Sequence, residues 1–140
     1  LFTLTERKTR QEIIMKLPNK ETKTIAKAVD KIERKYQRKF YQVFKSITFD
    51  NGVEFMGYEG LEKSCLRKKS RTKVYYAHPY CSGERGTNEN NNRLIRRWIP
   101  KETDITNIKV SFIKQIEDWI NNYPRSIFEY KSSNMLLLEI

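Results

Sequence analysis

Between Pro18 and Phe40 the apolar residues fall on a helical period. Ile25, Ala28, Val29, Ile32 and Tyr36 recur at i, i+3, i+4, i+7 and i+11, while Lys and Arg fill most of the remaining positions. Such a stripe predicts a surface helix that buries one face against another element. The segment before it supplies a partner. Leu1–Thr5 and Glu12–Leu17 are two strand-like apolar runs joined by the charged turn Glu6–Arg10, which reads as an antiparallel hairpin. Pro18-Asn19 ends the second run, with Asn19 expected as the helix cap and Glu21 in the first turn.

The rest of the chain alternates strands and helices. Val43–Phe49 reads as a strand ending at Asp50-Asn51-Gly52, and 54–65 as a short helix. Val74–Ala77 reads as another strand, Thr87–Trp98 as a helix stopped by Pro100, and Asn107–Asn122 as a helix ending at Pro124. Strands followed by alternating strands and helices predict an α/β domain with a mixed sheet. At 140 residues, the chain corresponds to one domain or part of one. It opens inside a strand-like run without Met, so the natural start is expected upstream.

Charge narrows the partner. Lys and Arg number 28 against 17 Asp and Glu, a net of +11, which attracts polyanions, nucleic acid foremost. The segment Leu66–Lys73 holds five of these cations, Arg67, Lys68, Lys69, Arg71 and Lys73. Two cysteines (Cys65, Cys81) and one histidine (His78) cannot make a four-ligand zinc site, and the thiols are expected reduced. No apolar stretch approaches the roughly 18 residues of a membrane span.

Two carboxylates are candidates for chemistry. Asp50 lies at a strand end, where α/β proteins place ligands, although Asp-Asn-Gly is also an ordinary turn signal. On the helix that follows, Glu89, Asn92, Arg93 and Arg96 share one stripe, and Asn91, Leu94, Ile95 and Trp98 share the opposite, buried one. Glu89 is then either half of an i,i+4 pair with Arg93 or a metal ligand among phosphate-binding groups.

Five strings carry a family resemblance: Thr-Leu-Thr-Glu-Arg-Lys-Thr-Arg (3–10), Lys-Leu-Pro-Asn-Lys (16–20), Thr-Phe-Asp-Asn-Gly-x-Glu-Phe (48–55), Ala-His-Pro-Tyr (77–80) and Glu-Arg-Gly-Thr-Asn-Glu-Asn (84–90). With Asn-Asn-Tyr-Pro-Arg (121–125) and Tyr-Lys-Ser-Ser (130–133), they resemble, in order and along nearly the whole chain, the insertion-sequence-thirty family of bacterial transposases. The resemblance implies an α/β ribonuclease-H-like (retroviral-integrase-like) fold, a mixed sheet flanked by helices. Residues 1–140 would form a single partial domain of the catalytic core, with the first strand and its Asp missing.

It also implies metal-dependent phosphodiester hydrolysis and DNA strand transfer at an Asp, Asp, Glu site. Two Mg²⁺ ions, or Mn²⁺ as substitute, would be held there, with Asp50 as the second acid and Glu89, rather than Glu84, as the third. Asn88, Asn92, Arg93 and Arg96 would hold DNA backbone. Arg67, Lys68, Lys69, Arg71 and Lys73 would form an extended loop adding non-specific affinity. Partners would be DNA (element ends and target) and further copies of the chain, in the bacterial cytoplasm and nucleoid. The alternative is a non-catalytic DNA-binding remnant that competes with full-length transposase. The chain departs from the family in three respects. The spacing between Asp50 and Glu89 is longer than usual, an excess that fits the basic segment, and Gly83 and Ser133 stand where Trp and Pro are frequent.

Overall fold

The computed structural model describes residues 1–19, 21–49, 58–76, 86–100 and 102–139; for 58, 76 and 86–89 it describes the backbone alone. The chain divides into two compact units, residues 1–16 with 82–140, and residues 17–81.

The first unit opens with the expected hairpin. β1 (Phe2–Thr5) pairs antiparallel with β2 (Glu12–Met15), Phe2 opposite Met15 and Thr5 opposite Glu12. Its turn is fixed by Glu6, whose carboxylate accepts the Thr9 N–H (2.6 Å), the Thr9 hydroxyl (2.7 Å) and the Lys8 N–H (3.0 Å). Against the hairpin lie α4 (Gly86–Arg96) and α5 (Val110–Asn122), followed by a short α6 (Ser133–Leu138). The core is Ile14, Leu94, Ile95, Ile99, Ile113, Ile116 and Ile120, flanked by Ile108, Phe112 and Trp119. An aliphatic cluster of this kind is what the i, i+3, i+4 stripe of α5 exists to bury.

The outer edge of β2, away from β1, is closed by side chains of α5. The Asn121 amide accepts the Glu12 N–H (2.8 Å) and donates to the Glu12 carbonyl (2.8 Å), while Glu117 accepts the Ile14 N–H (2.9 Å). Each of these peptide groups, which a neighbouring strand would have satisfied, is satisfied instead by a helix side chain.

The second unit contains α1 (Thr22–Tyr36), α2 (Phe40–Val43), β3 (Ser46–Phe49), α3 (Tyr58–Glu62) and β4 (Lys73–Tyr76). β3 and β4 run parallel, Ile47 opposite Val74. Ile25, Ala28, Val29 and Ile32 are buried as the stripe predicts, with Phe40, Phe44, Ile47, Phe49 and Leu61 completing the core. Asn19 acts differently from expectation. The helix cap is Glu21, without a side-chain bond, and Asn19 instead accepts the Glu21 N–H (3.0 Å) and the Thr24 hydroxyl (2.6 Å) from two residues earlier. Val43 is helical rather than in the strand. Phe40 and Phe44 both face the core, a four-residue spacing that suits a helical turn.

The α/β character is as expected. Among the described residues the strands form one antiparallel and one parallel pair, each two-stranded. No helix among these residues is long and apolar enough to cross a membrane.

Candidate functional site

The helix α4 carries the resemblance's third acid. Its backbone places Glu89 at the end of the first helical turn, and the Glu89 side chain lies outside the described residues, as does that of Asn88. Asp50 follows immediately after Phe49, at the C-terminal end of β3, and lies outside the described residues, as do His78 and Cys81.

The stripe read for α4 is present through Arg96. Asn92, Arg93 and Arg96 are exposed, and Asn91, Leu94 and Ile95 are buried. Trp98 departs from it, being 44% exposed, with Ile99 taking the core position. The reason is that the helix ends at Arg96, so a 100° step no longer describes where the next side chains go. Trp98 instead packs edge-on against Trp119, with ring centroids 5.5 Å apart.

The buried side of α4 is tied down by a polar network. Asn91 is fully buried; its amide donates to the Glu12 carboxylate (2.5 Å), and its carbonyl oxygen accepts from Arg125 (3.0 Å). The same Glu12 oxygen accepts the Thr5 hydroxyl (2.7 Å). Burial raises the Glu12 pKa to about 7; hydrogen bonds from Thr5 and Asn91 and the charge of Arg125 pull it down, and Glu117 pushes it up further. Asn121 and Arg125 both come from the string Asn-Asn-Tyr-Pro-Arg, so that string fastens the hairpin and α4. Neither residue was singled out for that role in the sequence.

The basic segment of the second unit is not an extended loop. An antiparallel bridge between Lys63 and Ser70 and a bond from the Arg71 N–H to the Glu62 carbonyl (2.8 Å) close it at its base. Ser64 holds its start by accepting the Leu66 N–H (3.1 Å) and the Arg67 N–H (3.0 Å). Arg67, Lys68, Lys69 and Lys73 are exposed, but Arg71 is not: its side chain is fully buried. It pairs with Asp30 and Glu33, and donates to the Leu61 carbonyl (2.7 Å) and the Gly60 carbonyl (2.9 Å) at the C-terminal end of α3. Arg71 is therefore removed from the set of DNA-facing cations; every one of its forks is turned inward.

Glu33 is the other half of this arrangement. It lies four residues after Val29, on the buried stripe, and that spacing was the available signal that a carboxylate would need a buried partner. Burial would raise its pKa, but hydrogen bonds from Ser64, Tyr41 (2.6 Å) and the Cys65 N–H (3.0 Å) outweigh burial and hold it at about 2. Asp30, Glu33 and Cys65 converge closely enough to suggest a cation site. The guanidinium of Arg71 already fills that role, and both Glu33 oxygens are occupied by donors. Cys65 is a free thiol, donating to Glu33 and to the Asp30 carbonyl.

The chain is 38% identical over 136 residues, 97% of its length, to a probable transposase for insertion-like sequence element IS1161 of Streptococcus salivarius. The resemblance to insertion-sequence transposases is borne out. The transposase for insertion sequence element IS4351 of Bacteroides fragilis is 38% identical over 134 residues, 96% of the chain. Transposase InsI for insertion sequence element IS30C of Escherichia coli (strain K12) is 30% identical over 137 residues, 98% of the chain. The chain spans 36%, 38% and 34% of these three transposases, about a third of their length. No protein-family model matches it.

Proposed function

We propose that this chain is part of the ribonuclease-H-like catalytic core of an insertion-sequence-thirty transposase, acting in metal-dependent DNA cleavage and strand transfer. One observation carries the reading. The match to the Streptococcus transposase leaves at most a few terminal residues aside, so it runs across both acid-bearing strings, around Asp50 and around Glu89. The architecture is compatible: an antiparallel pair, then a parallel pair with Asp50 directly after β3, then a helix bearing Glu89.

Asp50 and Glu89 are assigned as metal ligands, suited to Mg²⁺ or Mn²⁺ because hard divalent ions take oxygen donors. When bound, two such ions would activate the attacking oxygen and stabilise the leaving one. The chain's own residues bind and orient. Asn92, Arg93 and Arg96 form an exposed amide-and-guanidinium face beside Glu89 on α4, suited to phosphate oxygens. Asn91, on the opposite side, fixes the helix through Glu12 and Arg125. The first acid is assigned to a strand beyond Leu1, and the open side of the hairpin for such a strand is β1, because α5 closes the outer edge of β2.

The test is strand transfer by the full-length protein with a labelled element end. Asp50→Asn and Glu89→Gln should each abolish the reaction while leaving DNA binding intact, and Glu84→Gln should leave both. Loss with Glu84→Gln and retention with Glu89→Gln would overturn the assignment.

A further inference from the structure

We propose that an open basic groove in the second unit is a second DNA-backbone site, remote from the reacting phosphodiester, built by Lys45, Arg67 and Lys73 on a floor that contains Arg71. The inference rests on the transposase reading only for the choice of DNA as polyanion.

The groove, about 510 Å³, is lined by Tyr41, Lys45, Glu62, Arg67, Arg71 and Lys73 among others. Lys45 and Lys73 stand side by side because their backbones are bonded, the Lys73 N–H donating to the Lys45 carbonyl (3.3 Å). Arg67 lies over the Tyr41 ring, its Cζ 3.5 Å from the centroid, with one fork anchored on the Ser70 carbonyl (2.8 Å). Tyr41 is itself fixed, its hydroxyl donating to Glu33. The lone carboxylate of the lining, Glu62, accepts the Val74 N–H (2.9 Å). Among the described residues Lys45, Arg67 and Lys73 have no carboxylate partner. Three exposed cations on one concave face, against the single carboxylate of Glu62 and preset by a pinned loop, lose little freedom on meeting a row of phosphates.

Topology separates this groove from the acid. Lys45 immediately precedes β3 and Lys73 opens β4, whereas Asp50 follows the last residue of β3. The four residues of β3, at about 3.3 Å each, put roughly 13 Å between Lys45 and the strand end that Asp50 follows. At about 3.4 Å per base pair, that is roughly four base pairs of duplex. The groove therefore holds DNA away from the chemistry, and its loss should weaken binding without slowing the bound complex.

The experiment is salt-dependent binding of a 30-base-pair duplex to the protein, for wild type and for Lys45→Ala/Arg67→Ala/Lys73→Ala, with circular dichroism to confirm the fold. Losing three phosphate contacts should flatten the log–log salt slope by about 2.7, so the wild type should lose about 40-fold more affinity than the variant between 50 and 200 mM salt. Lysine acylation read by mass spectrometry should show duplex protecting Lys45 and Lys73 more than Lys31 and Lys35 on the exposed side of α1. An unchanged slope, or equal protection of all four lysines, overturns the groove. Neither outcome touches the transposase reading, which stands or falls on Asp50 and Glu89. In strand transfer the triple variant should raise KM and leave kcat within twofold; a selective fall in kcat would place the groove at the chemistry and refute the separation.

Discussion

Replacing Glu12 by Gln should make the first unit less sensitive to rising pH. Glu12 is fully buried, and its pKa stands at about 7 against an ordinary 4.5. The folded state therefore holds this proton more tightly than the unfolded chain does. Its contribution to stability is fully present below about pH 4.5 and is lost as pH rises through 7. A shift of about two and a half units corresponds to about 3 kcal/mol. The amide of the Glu12→Gln variant keeps an oxygen to accept from Thr5 and Asn91, the two donors that meet Glu12. The charged groups acting on it, Arg125 and Glu117, remain in place.

Urea unfolding followed by tryptophan fluorescence reports on the right region, because both tryptophans of the chain, Trp98 and Trp119, lie in the first unit. The stability difference between the Glu12→Gln variant and wild type should change by about 3 kcal/mol in favour of the variant between pH 4.5 and pH 8. Taking the difference of two pH values cancels whatever the neutral swap costs. A difference that is constant across this range would refute the claim that Glu12 titrates near neutrality.

Arg71→Met should destabilise the second unit by about 3–5 kcal/mol, because it leaves Glu33 buried with its charge uncompensated; thermal unfolding checks it, and Arg71→Met with Glu33→Gln should recover part of the loss. Glu33 has the opposite linkage to Glu12. Its pKa is depressed to about 2, so its stabilisation is present above about pH 4.5 and lost as pH falls toward 2, and Glu33→Gln should flatten acid unfolding by about 3 kcal/mol. Asn121→Leu leaves the Glu12 peptide without its partners and should cost about 2 kcal/mol or more, read by the same urea titration. Arg93→Ala/Arg96→Ala should flatten the salt slope of DNA binding by about 2 while leaving stability within about 0.5 kcal/mol, since both side chains are exposed.

The elements that rest on local pattern were legible in the sequence. The hairpin, the stripe of α1 and the buried side of α4 as far as Ile95 follow from periodicities of two and 3.6, which the backbone imposes directly. The same period failed at Trp98 because it presumes a helix that continues. Val43 reads with the strand that follows it, but it closes the helical turn in which Phe40 and Phe44 pack together four residues apart. Arg71 looked like one cation among five. What distinguishes it is Asp30 and Glu33, about forty residues away in sequence, and charge runs carry no sign of which member has a distant partner. Conversely, Glu33 and Asn91 sat visibly on buried stripes, and each is the centre of a polar network. The strings around Asp50 and Glu89 were legible through the resemblance, since the turn signal of Asp-Asn-Gly and the ion-pair spacing of Glu89 with Arg93 are equally ordinary.

The contact of α5 with β2 works as a gauge between two kinds of secondary structure. Glu117 and Asn121 are four residues apart, a rise of about 6 Å along a helix. The outward peptide groups of Ile14 and Glu12 are two residues apart, about 6.8 Å along a strand. The two repeats nearly coincide, so one helix face can read two consecutive open peptide groups, in opposite chain directions. A slip of α5 by a single residue would rotate both side chains by about 100° and lose all three bonds together. The register of a helix about a hundred residues downstream is thereby set by the hairpin at the start of the chain. An insertion or deletion between Val110 and Glu117 should consequently be tolerated far less well than one in the segment joining α4 to α5.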